Sequence, residues 1–185
     1  MPTTHVQPEL LTADDYRATP EGTRYQLVEG ELVRAPALTR LHQDIVLNLA
    51  TLLRNHVLPT RLGKVYAAPF DVYLGEHDVL QPDVLFVSTE RLSILKDDGA
   101  HGAPDLVIEI LSPATAQLDK KRKRAVYARA GVKELWLVHP DMRQVHLCDF
   151  AQDATRAVRV LDDDQSFETP LLPGLVVAVA EVFRQ

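Results

Sequence analysis

A chain of 185 residues, 46% of them hydrophobic, can bury one good core but is short for two, so a single domain is expected. The formal net charge of -6 and pI near 5.6 give no overall pull toward nucleic acid, although an average conceals local clusters. One cysteine excludes an internal disulfide and a cysteine-zinc cluster, and no charged-then-apolar leader or run of roughly 18 apolar residues is present, so a soluble cytoplasmic protein is expected.

Residues 1–9 are polar and read as a disordered tail, which places the domain at 10–185. Thr12 to Asp15 has the pattern of a capping box opening a short helix that ends before Pro20. Tyr25 to Val33 reads as a hairpin turning near Glu29-Gly30. From about Thr39 to Val57, apolar residues at 41, 45, 49, 52 and 53 recur with helical period and put His42 near the apolar face. Pro59 and Gly63 then break the pattern, and strand-like runs follow at 64–67, 70–74 and 84–87, read as a meander. Ser88 offers a helix cap, and 96–102 reads as a loop rich in Asp and Gly.

Leu106 to Leu111 is the most informative run: Leu-Val-Ile-Glu-Ile-Leu, bounded by Pro104-Asp105 and Ser112-Pro113. A run this apolar reads as a strand covered on both faces, where the Glu109 carboxylate needs a cation. A helix from about Asp119 to Ala130, stopped by Gly131, and a core strand at 134–138 complete a strand-helix-strand crossover with parallel strands, right-handed by the usual rule. Val145 to Cys148 and Ala157 to Leu161 read as antiparallel edge additions, with Cys148 as an inert core thiol, and an apolar segment from Leu171 to Phe183 closes the chain. The fold class expected is α/β, a central mixed sheet flanked by helices with added antiparallel strands.

Asp83, heading the run at 84–87, and Glu109 together suit a hard divalent ion such as Mg²⁺ or Mn²⁺, against the plainer reading of a turn cap and a core salt bridge. Between Lys120 and Lys133 there are seven basic residues and no acid, which suggests a phosphate-contacting face formed by Lys120, Lys121, Arg122 and Arg124, or else simply a solvated helix. Asp119, Lys123 and Tyr127 are spaced four apart and so share one side of the helix, where Asp119 can orient the Lys123 ammonium. His42 could handle a proton but is as readily a hydrogen-bonded core residue. The remaining histidines lack the His-Glu-X-X-His spacing, and Ser112 lacks a Gly-X-Ser-X-Gly setting, which argues against zinc and serine hydrolases.

Pro82-Asp83, Glu109 in its apolar strand and a following lysine resemble the PD-(D/E)XK nuclease superfamily. Tyr25 to Glu31, Pro82 to Val87, Pro104 to Pro113, Asp119 with Lys123 and Tyr127, and Ala130 to Val138 are together similar to its Uma-type restriction-endonuclease-like proteins. The resemblance implies a restriction-endonuclease-like core, a Mg²⁺-type cofactor and phosphodiesterase activity on nucleic acid, DNA foremost. The slot two residues after Glu109 holds Leu111 where the superfamily carries its lysine, and Lys123 is the replacement candidate. Gln26 stands where the hairpin of the family often has Glu, which leaves Glu31 as the extra acid. In this scheme Asp83 and Glu109 hold the ion, Lys123 stabilises charge developing on the phosphate, Glu31 completes the shell, and the basic helix seats the backbone. The alternatives are a catalytically silent nuclease fold serving as a nucleic-acid-binding or homo-oligomeric module, and a hydrolase of small phosphate esters. A homodimer is expected by the same likeness.

Overall fold

Thr12 starts the first element of the computed structural model, which describes residues 10–20, 25–35, 38–112 and 119–185, with the backbone alone at 119 and 120. The tail expected at 1–9 lies outside these residues. Helix α1 (Ala13–Arg17) carries the expected capping box, in which Thr12 Oγ1 accepts from Asp15 N–H and Asp15 accepts from Thr12 N–H. Strands β1 (Tyr25–Val28) and β2 (Glu31–Arg34) pair antiparallel around Glu29 and Gly30, whose φ values of 52° and 78° give the two left-handed residues of a type I′ turn. A Cβ at position 30 would also come within 2.7 Å of the Leu10 side chain. Gly30→Ala is therefore expected to lose about 1–2 kcal/mol, read as a lower urea midpoint at unchanged slope.

Helix α2 (Arg40–Thr60), capped by Thr39, runs past its expected stop at Pro59. Proline leaves one carbonyl of the preceding turn without its helical donor, and at exposed Asn55 water can meet that carbonyl; Thr60 Oγ1 also ties back to His56 O and Val57 O. Four strands follow: β3 (Gly63–Ala67), β4 (Val72–Gly75), β5 (Asp78–Leu80) and β6 (Val84–Ser88). A 3₁₀ turn at Thr89–Ile94 starts without a side-chain cap from Ser88. The stretch expected to be a loop instead forms a short hairpin of β7 (Leu95–Lys96) and β8 (Gly99–His101). Then come β9 (Leu106–Ile110), a π-helical turn (Asp119–Lys123), helix α3 (Arg124–Ala130), β10 (Glu134–His139), β11 (Gln144–Asp149) and β12 (Arg159–Leu161). The chain closes with β13 (Ser166–Phe167), β14 (Val177–Ala178) and α4 (Val179–Val182).

The expected mixed sheet has the order β12-β11-β10-β9-β6-β3, with β9 and β10 parallel across the α3 crossover and the other pairs antiparallel. The upstream strands do not extend it: β2-β1-β5-β4-β8-β7 form a second six-stranded sheet, and β4 leaves the expected meander to join it. All five residues of β9 are buried, and their alternation divides the core. Leu106, Ile108 and Ile110 face Ile45, Leu49 and Leu53 of α2, while Val107 and Leu111 pack with Val126 and Tyr127 of α3 and with Val28 and Leu80 of the second sheet. Glu109 falls on that second face, between the sheets. Cys148 is buried there too, and burial pushes its thiol pKa up. Among the described residues no helix is long and apolar enough to cross a membrane.

Candidate active site

The buried carboxylate of Glu109 has its cation. The Lys123 ammonium lies 2.9 and 3.1 Å from the two Glu109 oxygens, and the Tyr127 hydroxyl donates to Oε1 at 2.5 Å. Both side chains of the Glu109–Lys123 pair are 4% exposed, so neither charge could remain there without the other. Leu111, in the slot where the superfamily pattern has lysine, is part of the apolar cluster beside them. The shared helical face expected for Asp119, Lys123 and Tyr127 is built otherwise: residues 119–123 form a π-turn and regular α-helix starts only at 124. A π-turn spaces its side chains differently from an α-helix. Lys123 and Tyr127 nonetheless meet on one carboxylate, and the side chains of Asp119 and Lys120 lie outside the described residues.

Asp83 heads β6 where the antiparallel ladder with β9 ends. Val84 pairs with Ile108, so Asp83 stands in the next register position, across from Glu109. Its side chain takes over from the ladder: Oδ2 accepts the Ile110 N–H at 2.7 Å, and Oδ1 lies 3.2 Å from Nε2 of His42 in the first turn of α2. His42 is 7% exposed and its Nδ1 is buried without a hydrogen-bond partner among the described residues. The two acids thus face each other across one strand pair, Asp83 binding the amide that follows Glu109. Among the described residues no group of three or more His, Cys, Asp or Glu is placed so that it could hold a metal ion.

Glu31 does not join them. Its exposed carboxylate meets Arg122 Nη1 at 2.8 Å, while Arg122 Nε reaches Glu29 at 3.0 Å and Nη2 the Val28 carbonyl. Arg129 bridges Glu29 and Asp78, and Asp78 Oδ1 in turn accepts the Glu29 N–H. The guanidinium of Arg122, then that of Arg129, holds the Glu29 carboxyl below its usual pKa despite some desolvation. The basic run is therefore mostly internal clamp rather than open surface. Arg122 and Arg129 bind the hairpin to the crossover helix, Arg124 donates to the Thr155 carbonyl, and Lys133 pairs with Asp105. Lys121 is exposed, as are Arg129 and Lys133, but these two are held in ion pairs. Sequence shows the charges of such a run but not their partners, which the β1–β2 hairpin brings from about a hundred positions away.

Two further polar residues are buried around the site. Asp105, fully buried, accepts the Ser88 N–H at 2.7 Å and has Oδ1 at 2.7 Å from the Lys133 ammonium, an ion-pair contact rather than a directed hydrogen bond. Gln26 is 7% exposed in β1, and its Oε1 accepts the N–H of Gln81, two residues before Asp83. Its signal was a polar residue alternating with Val28 on a core-facing strand.

A family model described as "Putative restriction endonuclease" (Uma2) matches residues 13–180. The "Uncharacterized protein sll1609" of Synechocystis sp. (strain ATCC 27184 / PCC 6803 / Kazusa) is 24% identical over 126 residues, 64% of this chain and 68% of that protein. The crystal structure of "a putative nuclease belonging to DUF820" from Anabaena variabilis ATCC 29413 superposes with a TM-score of 0.79 at 22% identity, over 94% of this chain and 97% of the other. That structural likeness speaks for the fold.

Proposed function

Because this chain belongs to the Uma2 family of restriction-endonuclease type, we propose that it is a divalent-metal-dependent nuclease hydrolysing phosphodiester bonds of nucleic acid, DNA foremost. The observation that carries this reading is the Lys123 ammonium on both oxygens of Glu109, reached from the crossover helix in place of a lysine at 111. The donor set suits Mg²⁺ or Mn²⁺, since hard carboxylate oxygens from Asp83 and Glu109 with waters would satisfy such an ion. These two residues would hold the ion, which would supply polarisation of the phosphodiester and activation of a water.

The residues of the chain do the rest. Lys123 neutralises Glu109 when no ion is bound, which keeps a buried carboxylate tolerable. With an ion held at Asp83 and Glu109, the Lys123 ammonium would be the donor suited to stabilise the charge that develops on the phosphate. Tyr127 keeps Glu109 in one rotamer, and the Ile110 amide and His42 fix the two oxygens of Asp83. Glu31, paired with Arg122, has no part in this scheme.

The test is cleavage of labelled DNA and RNA with Mg²⁺, Mn²⁺ or EDTA, for wild type beside Asp83→Asn. Wild-type cleavage that needs the ion and disappears in the variant supports the reading; cleavage equal in both points to a contaminant. The full occupancy of Glu109 by Lys123 and Tyr127 favours a second reading, a silent nucleic-acid-binding fold, and retained binding with no cleavage under any ion would select it.

Backbone contact rests with Lys121. Lys121→Ala is expected to weaken binding uniformly across sequences and to flatten the log-log salt dependence by about one unit, measured by fluorescence anisotropy over a salt series. Arg122→Ala is expected to leave that slope unchanged, because its charge is already met by Glu29 and Glu31.

A further inference from the structure

We propose that Gln26 is a substrate contact, donating from its carboxamide NH₂ to a non-bridging phosphate oxygen; the role rests on the phosphodiesterase reading above. Gln26 and Val28 lie on the same side of β1, and Val28 belongs to the cluster of Leu111, Val126 and Tyr127 that surrounds Glu109. A nine-tenths-buried amide in that position must be held by hydrogen bonds or it costs stability. Half of it is held: Oε1 accepts the Gln81 N–H at 3.0 Å. A backbone N–H can only donate, so this contact fixes which end of the amide is oxygen and turns the NH₂ the other way. Gln81 is itself immobilised, its Nε2 bonded to Asp71 Oδ1 at 2.7 Å and to the Tyr16 hydroxyl at 3.2 Å. Among the described residues the Gln26 NH₂ has no acceptor, although the side chain is oriented by one tight contact two residues from Asp83.

The chemistry of that donor selects an anion. It carries no charge, so it does not compete with a cation for Asp83 and Glu109, and it keeps both protons at any working pH. A phosphate oxygen is the acceptor that the proposed reaction brings to this place. A carboxylate at position 26, where the family's hairpin often has Glu, would accept the Gln81 N–H equally well, but with no cation bound it would oppose the phosphate with a further negative charge. Gln26→Glu therefore separates a substrate contact from a purely structural prop, because it keeps the acceptor and removes the donor.

The experiment measures affinity for a short fluorescein-labelled DNA duplex in EDTA, KM and kcat for its cleavage with Mg²⁺, and thermal midpoint, for wild type, Gln26→Glu and Gln26→Leu. Working in EDTA keeps any added cation affinity of the new acid out of the binding measurement. The expected result in EDTA is an affinity for Gln26→Glu worse by about tenfold or more, as for one lost hydrogen bond to a charged acceptor, and a smaller loss for Gln26→Leu, whose KM rises in step. The thermal midpoint of Gln26→Glu falls because the new carboxylate is buried, but the protein stays folded at the assay temperature. Wild-type affinity in Gln26→Glu with impairment only in Gln26→Leu would make Gln26 a structural prop and overturn the proposal, as would wild-type behaviour of both. Failure of the wild type itself to bind or cleave nucleic acid brings down the reading of the site, and this contact with it.

Discussion

Lys123→Met is expected to remove about 3–5 kcal/mol of stability and to slow cleavage by about 10²–10³-fold. The stability loss follows from geometry: the ammonium and the carboxylate are each 4% exposed, so deleting one leaves the other charged in the space between α3 and β9. Glu109→Leu alone is expected to destabilise by a comparable amount, stranding the ammonium and the Tyr127 hydroxyl. The double variant Lys123→Met/Glu109→Leu should recover most of the loss, because a buried ion pair and a well-packed apolar pair of similar volume are close in free energy. It should show no activity at all. Urea unfolding of the four proteins gives the coupling through a double-mutant cycle. Additive losses, or a Lys123→Met protein within about 1 kcal/mol of wild type, would mean that the two buried charges do not depend on each other as their geometry implies.

Asp105→Ala is the second large effect, expected at about 1.5–3 kcal/mol, the value of hydrogen bonds to a buried charged acceptor. The backbone of Asp105 bonds Phe86 O, Lys133 N and Glu134 N, and its carboxylate adds Ser88 N–H, so one residue joins β6, β9 and the start of β10. Lys133 is 55% exposed and can return to water, which keeps its share of the loss small. Burial pushes the Asp105 carboxyl up, but the Lys133 ammonium and the Ser88 N–H outweigh it and hold the pKa below the usual 3.8. A folded pKa below the unfolded one gives stability that is fully present above about pH 4 and is lost as pH falls through the folded value. The melting temperature of the wild type should therefore drop more steeply below about pH 4 than that of Asp105→Asn, while at neutral pH the wild type is the more stable. Parallel acid limbs would refute the assignment.

The elements that position the site were readable where local chemistry decides them. Leu106 to Leu111 is apolar at every position but one, Thr12 and Asp15 cap each other, and the positive φ values of Glu29 and Gly30 need nothing beyond the turn. Lys123 could be found because a buried acid demands a cation and the superfamily slot held Leu111. What stayed hidden depends on distant partners. Strands of two or three residues such as β7 and β8 acquire their conformation from pairing across the sheet, not from propensity. The second sheet, the partners of Arg122 and Arg129, and the two roles of Asp105 all arise when segments far apart in sequence are stacked together.

The bond between Asp83 and the Ile110 amide also makes the site observable without any substrate. The Ile110 proton sits at the C-terminal end of a wholly buried strand, yet its acceptor is a side chain, not a neighbouring strand. Its exchange with deuterated solvent therefore follows the swinging of one carboxylate, whereas the Leu111 amide next to it, held by Val138 O, exchanges only when β9 and β10 separate. The ratio of the two exchange rates measures how often Asp83 disengages, and a divalent ion that recruits this carboxylate would change it while leaving Leu111 as an internal clock.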